Sequence, residues 1–361
     1  MFKLIFAALL ALGSAAASAE PYFAVQTGLK CSQCHVNQTG GGMRTQYGNL
    51  FAQNQLAAEK LDTGTESWLG NVNQFLGMGA NLRTGYTVSD TPKTEATNSF
   101  DTREARLYFN FTPIPERLSV YIDQLVAPGS ALNREAFVRF NSKDGQAYVK
   151  AGRIYLPFGW RLQDNDSFVR TETGISMNGA DNGVEFGYDS DQLSTQLAVS
   201  NGTLGGAEAD KGKQISLQSA YIENEWRLGA AANYNDVAGG ARAALGLFAG
   251  LRTGPVSWLA EADAIEDRSL IQTLGRKRRS IALLLEANWL IEKGQNLKLT
   301  TELLDPDRSV RQDQVSRISA VYEFTPVQYL QLRGGARYFD GPPQRDAQNR
   351  RLFFLELNGF F

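Results

Sequence analysis

The chain has 361 residues, of which 43% are hydrophobic and 20% are charged, and its formal net charge is −2. This near-neutral balance carries no basic signature of nucleic-acid binding, so we expect no nucleic-acid partner. No apolar run of membrane-helix length follows the first 20 residues, which excludes a helical membrane protein.

The first 19 residues have the pattern of a secretory signal peptide. Lys3 supplies a positive charge, residues 4–12 form a short apolar run, and Ala17, Ser18 and Ala19 form a small-residue cleavage site. We predict that residues 1–19 are removed and that the mature, exported chain starts at residue 20. A retained anchor is the alternative.

Both cysteines and the only histidine of the chain lie in one C-x-x-C-H pentad, formed by Cys31, Cys34 and His35. With two cysteines and one histidine, the chain cannot form more than one disulfide loop or a zinc site with four Cys/His ligands. A Ser-His-Asp triad away from the pentad is also excluded. The pentad is the attachment signature of c-type haem, in which two thiols bond to the porphyrin and the imidazole binds the iron. A redox disulfide is the alternative, but it calls for a βαβ context that the surrounding sequence does not show. We predict one covalent haem c.

A single histidine leaves the sixth iron position to another type of side chain, to water or to nothing. Met43, Met78 and Met177 are the methionines of the mature chain. Met43 is the nearest to the pentad, and it follows a flexible triplet of glycines at 40–42. We predict Met43 as the candidate ligand. A packing role for Met43, ligation by another methionine and an open position are the alternatives.

Residues 20–68 make up a small segment ahead of the predicted strands. Residues 47–56 are expected to form a short helix, and a polar run at 62–67 leads onward. About fifty residues are too few for a robust independent core, so we predict a monohaem cytochrome segment that acts as a plug in a barrel. Residues 69–361 are assigned to that barrel.

Alternating residues dominate the rest of the chain. In 279–291, Leu283, Leu285 and Trp289 fall on one face, while Glu286 and Asn288 fall on the other, as in strands with one apolar and one polar face. We predict about sixteen strands, near 73–88, 99–112, 117–127, 133–142, 146–156, 182–189, 193–201, 213–222, 225–236, 241–253, 256–266, 276–291, 295–305, 312–325, 327–340 and 350–361.

The lengths of the connections separate a membrane barrel from a soluble sandwich. Short turns follow the even strands and longer loops follow the odd ones, with the largest at 157–181, as in outer-membrane barrels whose termini are periplasmic. The last strand ends on Phe361, an aromatic residue typical of such barrels. We therefore predict an all-β protein, a transmembrane antiparallel β-barrel in contact with outer-membrane lipid.

The polar face of these strands carries charges of both signs, which we interpret as the lining of a hydrated lumen rather than as catalytic groups. These charged residues are Glu104, Arg106, Asp123, Glu135, Arg139, Glu261, Glu286, Glu302, Arg317, Arg333 and Arg337.

The loop at 156–161 concentrates aromatic residues at a strand exit. We interpret it as a turn at the rim, the alternative being a segment that folds inward as a constriction or haem cover.

Residues 23–28 (FAVQTG), the pentad and the YG-x-x-F pattern at 47–51, followed by one barrel, resemble the fused monohaem cytochrome–porins of the outer membrane, known from iron-oxidising bacteria. The resemblance implies a haem plug with Cys31 and Cys34 at the attachment positions and His35 as proximal ligand. Residues 36–42 depart from the more apolar, proline-containing stretch of that family, so the resemblance assigns no sixth ligand.

The leading hypothesis is an outer-membrane electron conduit between periplasmic carriers, such as a c-type cytochrome, and an extracellular donor or acceptor such as iron. Oxidation of ferrous iron and reduction of an external acceptor both remain open. A solute porin whose haem segment is a gate or assembly element is the second hypothesis. A soluble periplasmic cytochrome with a β-sandwich is the third.

Overall fold

Sixteen antiparallel strands form a closed barrel, in which each strand pairs with its neighbours in sequence and β1 also pairs with β16. The computed structural model describes residues 20–62, 64–129, 131–208, 210–236 and 240–361. The predicted signal peptide lies outside these residues. The strands are β1 (Leu76–Thr91), β2 (Thr94–Ile114), β3 (Leu118–Ala127), β4 (Leu132–Asn141), β5 (Ala147–Tyr155), β6 (Ala180–Asp189), β7 (Leu193–Ser200), β8 (Gln214–Ile222), β9 (Trp226–Asn235), β10 (Arg242–Thr253), β11 (Val256–Asp267), β12 (Arg278–Glu292), β13 (Gln295–Asp305), β14 (Val315–Val327), β15 (Leu330–Asp340) and β16 (Arg351–Phe360).

The alternation read from the sequence separates the outer and inner faces of this barrel. On β12, Leu283 is 39% exposed and Leu285 47% exposed, whereas Asn288 on the opposite face is 1% exposed. The outer face is therefore apolar and the inner face polar, as a barrel surrounded by lipid requires. The predicted all-β antiparallel barrel is confirmed.

The connections follow the predicted rhythm except after β1 and after β3, where two and four residues join the strands. Two to five residues join each even strand to the next, whereas most odd strands are followed by longer loops. The loop predicted at 89–98 is wrong, because β1 runs to Thr91, β2 begins at Thr94 and Ser89 pairs with Thr97. Threonine is β-branched and favours an extended backbone, so the two strands continue as an exposed hairpin. The other loops contain α4 (Phe168–Thr173), α5 (Ile271–Leu274) and a 3₁₀-helix at Asp346–Gln348.

The N-terminal segment, residues 20–62 and 64–68, is called the plug below. It contains α1 (Pro21–Thr27), α2 (Cys31–Cys34), α3 (Gln46–Phe51) and a π-helical turn at Ala52–Leu56. The helix expected over 47–56 is confirmed, and Thr45 caps it by accepting a hydrogen bond of 3.1 Å from the Gly48 N–H. Within the described parts of the chain, no helix is long and apolar enough to cross a membrane.

The plug lies inside the barrel and is hydrogen-bonded to opposite walls. The Tyr22 hydroxyl donates to Glu323 on β14 at 2.9 Å, and Arg139 on β4 donates to the Val36 carbonyl at 2.6 Å. The Ala58 N–H donates to the Thr325 carbonyl at 2.8 Å, near the turn after β14. The plug therefore occupies the mouth that carries the short turns, which is the periplasmic mouth in outer-membrane barrels.

The inner charges are buried and paired. Arg106 and Asp123 form an ion pair, and Arg333 lies 3.1 Å from Glu323. The predicted mixed-charge inner face is confirmed, but solvation by an open lumen is the wrong account of these residues. The plug and the loop after β5 cover them, so they bond to one another and to these two segments instead of to bulk water.

Candidate functional site

The C-x-x-C-H pentad lies on the wall of a cavity between the plug and the barrel. One helical turn places Cys31 and Cys34 on the same side of α2, and the His35 N–H donates to the Cys31 carbonyl at 2.9 Å to close that turn. All three side chains line the cavity, whose empty volume, including space open to solvent, is about 1100 Å³. The structure thus brings Cys31, Cys34 and His35 to one space.

The rest of the cavity is largely apolar. The plug contributes Phe23, Phe51 and Leu56, and the barrel side contributes Trp160 and Phe248. The rings of Trp160 and Phe248 meet edge to face with centroids 5.1 Å apart. A concave space with aromatic walls and a few polar groups is typical of a site for a large, flat organic ligand.

Cationic side chains outnumber anionic ones around this cavity. Its lining includes Lys30, Arg44, Arg161 and Arg227, and Glu20 is the one acidic residue among the described lining residues. The plug backbone holds one of these cations in place, because Arg227 donates to the Leu29 carbonyl at 3.0 Å. Such an excess favours a ligand that carries carboxylates, because charge-assisted hydrogen bonds to guanidinium are strong.

His35 is 5% exposed, and its Nδ1 has no hydrogen-bond partner among the described residues. Burial, reinforced by the positive charge of Arg44, lowers the pKa of His35 to about 3, although backbone groups at Gly41, Gly42 and Met43 oppose the shift. The imidazole is therefore neutral, which is the form that binds a metal.

Gly42 has a φ of 68° and approaches the Tyr121 hydroxyl, so a side chain there would clash.

The two thiols lack the character of a redox pair. Cys31 and Cys34 are not joined in a disulfide, and burial raises the pKa of both, that of Cys34 to about 11. Reactive thiols have a lowered pKa, so these groups do not resemble catalytic thiolates. Cys31 does begin a helix, as thioredoxin-type motifs do, but the described strands form one antiparallel barrel without a βαβ unit.

The residues that line the cavity have the properties that a haem site needs. The apolar cavity, the paired thiols, the buried imidazole with an unpartnered nitrogen and the excess of cationic lining residues all suit one. Among the described residues, no group of three or more His, Cys, Asp and Glu side chains is arranged to hold a bare metal ion.

The structure does not bring Met43 to the cavity. Met43 is buried, and its Cε lies 2.8 Å from the position that a Cβ on Gly77 would occupy, against the wall formed by β1. Met177 is also buried, with its Sδ 3.6 Å from the corresponding position on Gly41. Met78 lies on β1, on the opposite face from the buried Gly77. None of the three is among the described lining residues.

The loop at residues 156–179, called the inward loop below, folds into the barrel. The Trp160 N–H donates to Glu261 at 2.9 Å, and its indole Nε1–H donates to the Ala260 carbonyl at 3.0 Å. The interpretation as a rim turn is wrong, because the loop folds inward. The loop turns inward because its apolar side chains become buried and Arg170 forms an ion pair with Glu261.

Sequence reasoning missed Trp160, Arg161 and Arg227 as cavity residues. Trp160 and Arg161 come from the inward loop, and Arg227 comes from β9. The aromatic residues at the strand exit were the available signal for Trp160. No sequence pattern distinguished Arg227 from the other inward-facing charges.

No protein-family model matches the chain. No curated protein matches it either. Solved structures that are similar include OprB of Pseudomonas putida, with a TM-score of 0.64 and 9% identity over 80% of this chain and 94% of that one. The anion-selective porin from Comamonas acidovorans has a TM-score of 0.59 and 12% identity, over 79% of this chain and 100% of that one.

Outer-membrane expressed OmpT of Vibrio cholerae is also similar, with a TM-score of 0.56 and 9% identity over 80% of this chain and 99% of that one. Identities this low show a shared architecture and no more. The chain is a closed sixteen-strand β-barrel with the fold of bacterial outer-membrane porins.

Proposed function

We propose that the chain is an outer-membrane electron conduit that holds one covalent haem c on Cys31, Cys34 and His35. The observation that carries this proposal is their placement on a single, largely apolar cavity whose lining has more cationic than anionic side chains. The resemblance to fused monohaem cytochrome–porins supports the same assignment, including a plug at residues 20–68 and a signal peptide at 1–19.

Each side chain of the cavity has a role in this proposal. The thiols of Cys31 and Cys34 would tether the porphyrin, and the neutral imidazole of His35 would bind the iron. Arg161 and Arg227 would bind the carboxylates of the cofactor. Trp160 would cover the cofactor from the side of the inward loop. The haem supplies one-electron chemistry, while the protein supplies ligation, burial and charge.

The position of the cavity suits exchange of electrons with a periplasmic carrier. Lys30 donates to the carbonyl of Ser190, in the turn after β6, and Gln26 donates to the Gly254 carbonyl, in the turn after β10, at 3.2 Å. The pentad therefore lies close to the mouth with short turns. A periplasmic c-type cytochrome or another carrier would approach from this mouth, and an external donor or acceptor such as iron from the opposite one.

A haem-attachment assay tests the proposal. Protein is purified from outer membranes of cells able to attach c-type haem. Pyridine haemochrome spectra of the wild type are compared with those of a double mutant that carries both Cys31→Ala and Cys34→Ala. The matched control is Ser32→Ala, which changes a residue between the cysteines. We expect a c-type spectrum in the wild type and the control, and its loss from the double mutant. Wild-type barrels without haem would contradict the proposal.

Electron transfer across the membrane is tested with barrels reconstituted into lipid vesicles. Barrels reconstituted into liposomes that enclose a periplasmic-type cytochrome should allow an external, membrane-impermeant iron couple to change the redox state of that cytochrome. Vesicles with the Cys31→Ala, Cys34→Ala variant should not. Equal rates in both preparations would show that the haem does not carry the electrons.

A solute porin is the second candidate, favoured by the similarity to solved porins and by the inward loop between β5 and β6. In that case the plug would be a gate or an assembly element. Conductance in planar bilayers separates the two candidates. The conduit predicts little ion current, because the plug and the inward loop cross the lumen, whereas the porin predicts steady current or current that appears when the plug is destabilised.

A further inference from the structure

We propose that the protein leaves the iron position opposite His35 without a strong side-chain ligand, so that it takes water or a small exogenous ligand such as carbon monoxide. This inference rests on the haem attachment proposed above. It makes the cavity a binding site for a small molecule as well as for the cofactor.

The types of side chain that line the cavity limit which ligands the iron can take. Histidine, methionine, tyrosine and cysteinate are the common protein ligands of haem iron. The only histidine of the chain is His35, and both cysteines belong to the pentad. Among the described residues that line the cavity, there is no methionine and no tyrosine.

The side chain of Met43 packs away from the cavity. Its Cε packs towards Gly77 on β1, and its backbone N–H donates to the Tyr121 hydroxyl at 2.8 Å. Its carbonyl accepts a hydrogen bond of 3.0 Å from the Val36 N–H. These two hydrogen bonds hold the Met43 backbone in place, and turning its side chain towards the cavity would remove Cε from its buried position beside Gly77.

Met177 and Met78 are no better placed. Gly41 lines the cavity, and Met177 lies behind it, in contact with the position where a Cβ of Gly41 would be. The Met177 carbonyl accepts a hydrogen bond of 2.5 Å from Arg134, which holds this part of the inward loop against β4. Met78 lies on the outer side of β1.

The polar groups that do line the cavity suit bound water more than direct ligation. The Oε1 atoms of Gln38 and Gln218 are buried and have no hydrogen-bond partner among the described residues. An amide oxygen is a hard, neutral donor that binds haem iron poorly, but it accepts a hydrogen bond from water readily. Two such acceptors would stabilise a water molecule in this cavity.

The spin state and ligand binding of the purified haem protein test this inference. Electron paramagnetic resonance of the ferric form and the absorbance change of the ferrous form with carbon monoxide are measured on the wild type. The same measurements are made on Met43→Leu and Met177→Leu, with Met78→Leu as the control on the outer face. We expect a high-spin ferric signal, stoichiometric binding of carbon monoxide and unchanged spectra in all three variants.

Three results would overturn the inference. A low-spin ferric signal that becomes high-spin in Met43→Leu or Met177→Leu would assign the position to that methionine. A low-spin signal in every variant would assign it to another side chain of the cavity. In both cases the haem remains and the proposed function stands. A wild-type protein without haem in the pyridine haemochrome assay would instead remove the proposed function, and this inference with it.

Discussion

Gly48 of α3 packs directly on the backbone of Cys34. A Cβ placed on Gly48 would overlap the Cys34 carbonyl oxygen, and the same oxygen accepts a hydrogen bond of 3.0 Å from the Thr45 N–H. The start of α3 is thus fitted against the end of the helix that carries both cysteines. A position 14 residues beyond Cys34 determines where its thiol can lie.

Gly48→Ala is therefore expected to reduce haem attachment. The new methyl group must push α3 and α2 apart, because backbone atoms cannot yield as the end of a flexible side chain can. Haem per barrel, measured by pyridine haemochrome absorbance, should fall several-fold while the barrel still folds. Gln46→Ala, an exposed substitution in the same helix, is the control. Equal haem content in the two variants would contradict the prediction.

Asn37 fastens the plug to the barrel wall. Its Nδ2 donates to both oxygens of Glu135 at 2.8 and 2.7 Å, and its Oδ1 lies 3.4 Å from Lys150 Nζ. We expect Asn37→Ala to lower the free energy of unfolding by about 1–3 kcal/mol, because the buried Glu135 carboxylate loses its side-chain donor and keeps only the Tyr155 N–H among the donors described. Asn37→Asp should cost more, since two carboxylates would then face each other.

Urea titrations of the reconstituted barrel measure both effects. Gln55→Ala, at an exposed position of the plug, is the control and should change little. An Asn37→Asp protein as stable as the wild type would show that the plug does not depend on this contact.

Asp164 ties the inward loop to the opposite wall. Its carboxylate lies 3.0 Å from both Arg317 and Arg337, and its side chain is 26% exposed. Burial disfavours the ionised form, but the two guanidinium groups outweigh it and hold the pKa of Asp164 well below its usual range. The ion pairs therefore stabilise the fold fully above the unfolded pKa of about 3.9, and this contribution disappears as the pH falls through the lower folded pKa.

Asp164→Asn should thus lower the free energy of unfolding by about 1 kcal/mol at neutral pH, a small value because the group is partly exposed. The difference from the wild type should vanish in strong acid. Urea titrations at several pH values check this, with Asp166→Asn as the control, because Asp166 is more exposed and 3.8 Å from Arg337. A difference that does not depend on pH would contradict the assigned role.

Trp160 is expected to tune the haem potential. In the haem-bound protein proposed above, Trp160→Ala would remove the indole that lines the cavity and packs on Phe248, so more water would reach the cofactor. Water stabilises the more highly charged ferric form, and the reduction potential should fall. Spectroelectrochemical titration measures the change. Trp258→Ala, which removes an indole from the outer face, should leave the potential unchanged. Equal potentials in all three proteins would contradict the prediction.

Most of the barrel could be predicted from the sequence, while much of the site could not. The alternation around Leu283 and Leu285 predicts both the strand and its lipid-facing side, because successive residues of a strand point to opposite faces. The pentad likewise places two thiols and an imidazole together within five residues. The start of β2 at Thr94 was missed, because a polar, exposed hairpin carries no apolar alternation.

The sequence by itself determined the strands, their faces and the grouping of Cys31, Cys34 and His35, because each depends on neighbours only a few residues apart. Only the tertiary structure decided that the inward loop covers the cavity and that Met43 points to β1. Both depend on contacts between distant residues, such as Trp160 with Glu261. Closure of the barrel brings these partners together, and no local periodicity records which wall a side chain will meet.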